Sequence, residues 1–345
     1  MPHWFDAEIL RHCLDPDLRS AAEQWYRQIV QLPFCEGFPL RGGYNLHEST
    51  RLALRKRLCA EAPDRLRVFS GRAAKAFAEP SVHACIENAY QQLWADPERA
   101  GPLIRRLEFD LRHKVEDGLA FAVALHECIT DDPATPPLVV AWAIWVEATV
   151  RAPYLTIQER LQLAQRMLAL TAKTDQLDAR AAAWVLVGDA LVEHGHLGDA
   201  EQALGHYQRS LEVRERLLAA NPESAQAARD VLVSLERQAT VESKRTGGAE
   251  AALALQRRSL ELACKLRERN PHSYFHRRTA AVSCWRTAQF ARAAGNQELA
   301  SKCLTGCFAV LDSLVQAGVE LDPPMRLLHA RLKATLNATT SPETP

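Results

Sequence analysis

A repeated stretch in the last third of this chain restricts its fold more than any other feature. The segment Ser210–Pro222 reads SLEVRERLLAANP, and Ser259–Pro271 reads SLELACKLRERNP. They are offset by 49 residues, and 17 of 41 positions are identical when 199–239 is aligned with 248–288. A fixed period of this order is typical of repeat architectures, in which units bury their apolar faces by stacking. Fainter copies on both sides bring the count to about three units between 155 and 318.

Each unit has the pattern of a helical hairpin. Ala200, Leu204, Tyr207 and Leu211 recur at steps of four and three, which makes one apolar stripe on a helix. An earlier helix is predicted from about Asp178 to Glu193, and the breaks HGHLGD and RTGGAE separate first from second helices. The Asn-Pro pairs are predicted to end each second helix and to begin the next first helix, with Asn as its N-cap.

This pattern resembles the tetratricopeptide repeat (TPR), an antiparallel helix pair with small residues at the crossing and a proline near the end of the second helix. The matching residues are Gly188, Gly195, Ala200, Ala203, Tyr207, Leu211 and Pro222. A unit of that family has about 34 residues, whereas the period here is 49, so both helices are expected to be longer. The resemblance implies an all-α fold, a TPR-like α-solenoid of stacked helical hairpins.

The stretch Phe38–Glu79 differs in character, with a Gly-Gly turn, the strand-like word YNLHE and then a leucine-containing helix. Together with FDAEILRHCL upstream, it resembles the small winged-helix module that follows the nucleotide-binding core of bacterial STAND signal-transduction ATPases. The residues that match a word frequent in that module are Tyr44, Leu46, His47, Glu48 and Arg51. The sequence contains no GxxxxGK[ST] phosphate loop, so the resemblance implies no nucleotide hydrolysis.

Four segments are predicted along the 345 residues, a length too great for one ordinary compact core. They are a winged-helix-like module (1–79), a helical connector without a period (80–154), TPR-like helical repeats (155–335) and a polar, disordered tail (336–345).

Composition and charge bear on location and partners. The longest apolar run, Leu138–Val146, has nine residues, about half of what a bilayer crossing needs, so it predicts a buried helix and no membrane association. Without a visible secretory signal, the nine scattered cysteines indicate reduced thiols in a cytoplasmic protein. Residues 245–345 hold 14 Lys+Arg against 8 Asp+Glu, far from the dense basic stripe of a nucleic-acid binder.

Motifs for chemistry are weak. His126-Glu127-Cys128 places three potential ligands side by side, but adjacent residues on a helix point about 100° apart and cannot all reach one ion. The other candidates are Cys303 with Cys307, His272 with His276, and the turn histidines His194, His196 and His206. None has a second pair of ligands nearby, and no nucleophile or dinucleotide motif occurs. The sequence therefore predicts no metal, no cofactor and no enzymatic activity.

Arginines recur at matched positions of the predicted first helices. They are Arg229, Arg237, Arg278 and Arg286. Residues eight apart lie broadly on one side of a helix, and in the TPR family the first helices line a concave groove. The resemblance thus implies an arginine ladder that binds carboxylates of a peptide, with Trp285 beside it. The alternative is that the arginines pair with glutamates of the next hairpin, such as Glu212 or Glu261, while Trp285 lies in the core.

The leading hypothesis is a non-enzymatic protein-interaction scaffold, a sensor or adaptor subunit in a bacterial signalling or defence pathway that binds a protein or peptide. Two alternatives remain open. One is a nucleic-acid-linked regulator that uses the basic run Arg51, Arg55, Lys56 and Arg57, although residues 1–60 hold eight Lys+Arg and seven Asp+Glu, too balanced for phosphate-driven affinity. The other is a hydrolase whose site is assembled from distant residues.

Overall fold

The computed structural model describes residues 2–39, 42–111 and 114–340, with side chains described as far as residue 335. The chain divides into two compact units, Met1–His194 and Gly195–Pro345, here called the N-terminal and the C-terminal unit. The division falls inside the segment predicted as repeats (155–335), because its first two helices pack on the preceding buried helix.

The N-terminal unit is mostly helical, with one short hairpin of strands. Its elements are α1 (Ala7–Cys13), α2 (Ala22–Ile29), β1 (Cys35–Phe38), β2 (Gly43–Leu46), α3 (Glu48–Glu61), α4 (Pro63–Ala76), α5 (Val82–Ala95), α6 (Gly101–Leu111), α7 (Val115–His126), α8 (Pro137–Val150), α9 (Ile157–Ala172) and α10 (Leu177–His194). Single 3₁₀ turns occur at Pro16–Ala21 and Ala152–Tyr154.

The β1–β2 hairpin is antiparallel, with Cys35 opposite Leu46. Phe5 extends it by a bridge to Tyr44, and Phe5, Ile9 and Leu46 bury their side chains together beneath it. The strand-like word of the sequence thus lies largely in β2, where its apolar residues pack inward. The winged-helix assignment of residues 1–79 stays a prediction.

Helix α8 is the centre of the N-terminal unit. Every residue from Leu138 to Ala148 is buried, as expected for a helix that is apolar on all sides, and α7 and α9 pack against it. The prediction of a buried helix for Leu138–Val146 is confirmed. The one carboxylate in this run, Glu147, is 4% exposed and is bonded by Arg151 one turn later, at 2.6 Å.

The C-terminal unit consists of helices of 18 to 22 residues. They are α11 (Asp199–Ala220), α12 (Ala225–Glu242), α13 (Ala249–Arg269), α14 (Tyr274–Ala293), α15 (Gln297–Gln316) and α16 (Pro323–Thr340). Successive helices pack on one another, and their lengths account for the long repeat period. The chain is thus all-α with a TPR-like array of helical hairpins, as predicted.

The prediction for the Asn-Pro pairs is correct for the helix that ends at each pair and wrong for the helix that follows it. Asn221 and Asn270 do end α11 and α13, with extended φ of −140° and −133°, as expected for a residue that precedes proline. The N-caps of the next helices, however, are Ser224 and Ser273, whose hydroxyls accept from backbone amides in the first turn. The prediction that Asn caps the following helix was wrong, because the proline lies in a turn ahead of the helix.

At the end of the described chain, α16 runs to Thr340. It therefore enters the segment predicted as a disordered tail (336–345), of which residues 341–345 lie outside the described residues.

Candidate functional site

Arg286 of the predicted ladder connects two first helices. From α14 its guanidinium donates to the Thr240 hydroxyl at 2.9 Å and lies 3.5 Å from the Glu236 carboxylate, both on α12. Ser283, one turn earlier, also donates to Glu236. The Arg286 side chain is 26% exposed, so these contacts orient a guanidinium that solvent still reaches.

Arg278 forms an ion pair with Asp322, the residue just before α16. Its Nε donates to an Asp322 carboxylate oxygen at 2.6 Å, and the Tyr274 hydroxyl donates to the same oxygen at 3.1 Å. The other oxygen accepts from the amide of Met325. Burial opposes ionisation of Asp322, yet these hydrogen bonds lower the pKa of its carboxyl. Arg278 is thus a structural contact between α14 and α16.

The other predicted residues lie on the same pair of first helices. The guanidinium of Arg229 lies over the ring of Phe275, 5.0 Å from its centre. Arg237 is exposed, and Trp285 is 38% exposed. The name first-helix face is used below for Arg229, Glu236, Arg237, Phe275, Trp285 and Arg286.

Two arginines of the ladder make contacts between neighbouring helices. Arg278 and Arg286 pair with carboxylates of neighbouring helices, and these carboxylates are Asp322 and Glu236 rather than Glu212 or Glu261. Arg229 and Arg237 lie on the first-helix face with Trp285. Arg278 and Arg286 thus make contacts of the kind that stack stabilisation requires, and peptide binding by the ladder stays a prediction.

The N-terminal unit contains a buried ionic cluster centred on Glu127, the residue that follows α7. The two terminal nitrogens of Arg51 each lie 2.6 Å from one carboxylate oxygen of Glu127. A terminal nitrogen of Arg55 also lies 2.6 Å from this carboxylate. The Tyr90 hydroxyl donates to the same carboxylate. Arg51 and Arg55 are 6% and 4% exposed, and they meet Glu127 together because they lie one turn apart on α3.

Aromatic rings complete the setting of Arg55. Its guanidinium lies 5.1 Å from the ring centres of both Tyr90 and Trp94, a favourable cation–π arrangement. Burial alone would raise the pKa of Glu127, but hydrogen bonds from His3 and Arg51 and the charge of Arg55 hold it well below its usual range. Its contacts therefore favour the ionised form of this carboxylate.

His3 bridges Glu127 to a second buried carboxylate, Glu87. Its Nδ1 lies 2.7 Å from Glu87, its backbone amide donates to Glu87 at 3.2 Å, and its Nε2 lies 3.5 Å from Glu127. Burial opposes protonation, yet the charge of Glu87 and the hydrogen bonds to both carboxylates raise the pKa of His3. His3 thus connects the segment before α1 to α5 and to the residue that follows α7.

A cleft of about 600 Å³ opens beside this cluster. Its apolar side is formed by Leu119, Val123, Ala124 and Tyr154, and its polar side includes His3, Arg51, His126, Glu127 and Arg151. Val123 and Tyr154 are 70% and 60% exposed. The buried Glu147 accepts from Arg151 at 2.6 Å and lies 3.4 Å from His126 Nδ1.

In the sequence, Glu127 is conspicuous only as the middle residue of the potential metal motif His126-Glu127-Cys128. The structure separates the three residues: His126 faces solvent, Glu127 is the centre of the ionic cluster, and Cys128 is fully buried. The two arginine partners of Glu127 are 72 and 76 residues away along the chain. The available signal was the i, i+4 pair Arg51 and Arg55, which share one face of α3.

The remaining sequence candidates lie apart from any cluster of ligands. Cys303 and Cys307 belong to the apolar core of the C-terminal unit, and all nine cysteines are free thiols. Among residues 2–39, 42–111 and 114–340, no three His, Cys, Asp or Glu side chains are arranged to hold a metal ion. In the same residues, no helix combines the length and apolarity that crossing a membrane requires.

No protein-family model matches the chain, and no curated protein matches it in sequence. Among solved structures, BtubC (BKLC) from P. vanneervenii is 17% identical, with a TM-score of 0.47 over 76% of this chain and 95% of that one. A putative kinesin light chain with nearly identical TPR-like repeats from Podosopora anserina is 17% identical, with a TM-score of 0.42 over 64% of this chain and 98% of that one.

A third solved structure is a STAND protein with a tetratricopeptide repeat sensor from Pyrococcus horikoshii. It is 14% identical, with a TM-score of 0.37 over 97% of this chain and 60% of that one. All three likenesses are distant, and the assignment of helical hairpins above depends on the helices of this chain.

Proposed function

We propose that this protein is a non-enzymatic interaction scaffold that binds an acidic segment of another protein on the first-helix face. The observation that carries the proposal is Trp285, 38% exposed beside an Arg286 whose guanidinium is already held by Thr240 and Glu236. Trp and Arg are the side chains most often found at the energetic centre of interfaces. An arginine that is already oriented loses less conformational entropy when it binds.

The guanidinium groups of the face suit an acidic partner. Arg229, Arg237 and Arg286 contribute three of them to the first-helix face. Guanidinium pairs with carboxylate through two parallel hydrogen bonds, so acidic side chains of an extended peptide suit this surface. The STAND resemblance of residues 44–51 extends the proposal to a finer role. This role is that of a sensor or adaptor in a bacterial cytoplasmic signalling or defence pathway.

The nucleic-acid alternative has less support. Two of its four basic residues, Arg51 and Arg55, are buried against Glu127. Lys56 and Arg57 are exposed but lie within ion-pair distance of Asp132 and Glu61. A surface with two solvent-accessible cations carries too little charge for phosphate-driven binding.

The test is selection of random peptides on the full chain, followed by calorimetry with the strongest binder. Acidic peptides are expected, and Trp285→Ala or Arg237→Ala should weaken binding about ten-fold or more, as loss of a hot-spot side chain does. Leu327→Ala, an exposed apolar residue of α16, is the matched control and should bind like the parent.

Two results would contradict the proposal. One is a selected peptide that binds the Trp285→Ala and Arg237→Ala variants as tightly as the parent. The other is DNA binding by the purified chain at physiological salt that Lys56→Ala with Arg57→Ala abolishes, which would favour the nucleic-acid regulator.

A further inference from the structure

The cleft of the N-terminal unit has the dimensions and lining of a small-molecule site. Its volume of about 600 Å³ lies within the range of roughly 300–1,000 Å³ that is usual for such sites. Such sites combine apolar walls with a few convergent polar groups. Leu119, Val123 and Tyr154 supply the walls here, and Arg151 and His126 lie at the polar end.

The arginines and carboxylates of the lining balance one another, so an anion is favoured by the hydrogen-bond donors of the cleft rather than by net charge. Arg51 and Arg151 line the cleft with Glu48 and Glu127, and Arg55 and Glu147, outside the lining, pair with Glu127 and Arg151. The His3–Glu87 pair adds no net charge when His3 is protonated. Glu48, which also lines the cleft, is exposed to solvent, so water screens its charge.

The donors at the polar end retain binding capacity. Within the described residues, Arg151 donates from one terminal nitrogen to Glu147, and His126 approaches the same carboxylate through Nδ1. A guanidinium has five N–H donors and an imidazole has two ring nitrogens. The other donors of Arg151 and the Nε2 of His126 therefore remain for a ligand.

We propose that this cleft binds a small monocarboxylate with an apolar body, its carboxylate on Arg151 and His126 and its body against Leu119, Val123 and Tyr154. The ligand is separate from the peptide proposed for the first-helix face, which lies in the other unit. Pairing to Glu147 holds Arg151 in place before the ligand arrives, so little side-chain entropy is lost on binding.

Isothermal titration of the full chain with octanoate tests this site, with octylamine and acetate as probes that lack the carboxylate or the apolar body. We expect octanoate to bind, and octylamine and acetate to give no saturable heat. Val123→Asp should weaken octanoate about ten-fold or more, since it places a carboxylate against the apolar body. Its control is Val68→Asp, the same change at a 50% exposed valine of α4 outside the cleft lining.

Arg151→Gln should also weaken octanoate about ten-fold through loss of a charge-assisted hydrogen bond. Because this change removes a partner of buried Glu147, His126→Gln at a 62% exposed side chain is measured beside it, and circular dichroism checks that each variant is folded. Absence of octanoate binding to the parent overturns the proposal. So does tighter binding of octylamine, or unchanged octanoate affinity in Val123→Asp and His126→Gln.

Discussion

At the scale of single residues, the Glu127 cluster shows how a buried charge is stabilised. Four side chains contact one carboxylate, those of His3, Arg51, Arg55 and Tyr90. Two of them are guanidiniums that are almost fully buried. Transfer of ions out of water is costly, and the cost is offset here by short charge-assisted contacts and two aromatic rings. Removal of one partner leaves the others without compensation.

Glu127→Gln should therefore destabilise the protein by about 3–5 kcal/mol, because Arg51 and Arg55 would remain buried without a counter-charge. The measurement is the free energy of unfolding in urea. Glu61→Gln, which removes an exposed i, i+4 partner of Arg57, is the control and should change stability by less than about 0.5 kcal/mol. A small effect of Glu127→Gln would mean that the cluster is relaxed by water.

The raised pKa of His3 predicts that the stability of the folded state falls as pH rises. Its pKa is raised in the folded state because Glu87 and Glu127 favour the imidazolium, and the charges of Arg51 and Arg55 are offset by Glu127. The stabilisation is fully present below the unfolded pKa of about 6.5. It is lost as pH rises through the folded pKa. The measurement is the free energy of unfolding in urea, for the parent and for His3→Gln, from pH 6 to 9. The difference between the two proteins should become smaller as pH rises. A difference that stays constant would exclude a stabilising role for protonated His3.

At the scale of elements, the hairpin turns depend on glycine where the backbone is left-handed. Gly295 ends α14 with φ of +77°, and the next residue, Asn296, caps α15 by accepting from Leu299. A side chain in this conformation is strained. The asparagine cap and the glycine stop together make a tight connection between two helices.

Two glycine-to-alanine changes should alter the stability of the protein in opposite directions. Gly295→Ala should cost about 1 kcal/mol through its left-handed backbone, whereas Gly205→Ala should stabilise by about 0.5–1 kcal/mol. Gly205 lies within α11, and an added methyl there meets nothing within 4 Å. Thermal unfolding followed by circular dichroism compares the two. Equal effects at both positions would show that backbone conformation does not control these turns.

At the scale of the whole molecule, the two compact units each bury their own apolar clusters. The N-terminal unit has the core around Phe5 and Leu46 and the buried helix α8. The C-terminal unit has the core of α14, α15 and α16. A local change in one unit is therefore expected to act mainly on that unit.

Hydrogen exchange read by mass spectrometry checks this expectation with two variants. Glu127→Gln should speed exchange in α3, α5 and α7 and leave α14 and α15 unchanged. Asp322→Asn, which weakens the contact of Arg278 with the start of α16, should speed exchange in α14–α16 and leave α3–α7 unchanged. The same pattern of exchange for both variants would mean that the chain opens as one cooperative body.

Local patterns in the sequence determined the helices and their repeat. Apolar spacing, the glycine breaks and the Asn-Pro pairs act within a few residues of their position, so α10 to α15 and the buried α8 could be predicted. The N-caps Ser224 and Ser273 were missed because Asn and Ser are both good caps, and only the backbone shows where the turn ends.

The tertiary structure alone decided which charges meet. Arg278 with Asp322, Arg286 with Glu236, and Arg51 and Arg55 with Glu127 join residues 44 to 76 positions apart. Sequence shows that arginines recur and share helix faces, but not which carboxylate lies opposite. The reason is physical: helix formation depends on neighbours along the chain, whereas ion pairing and cleft formation depend on distances that packing sets.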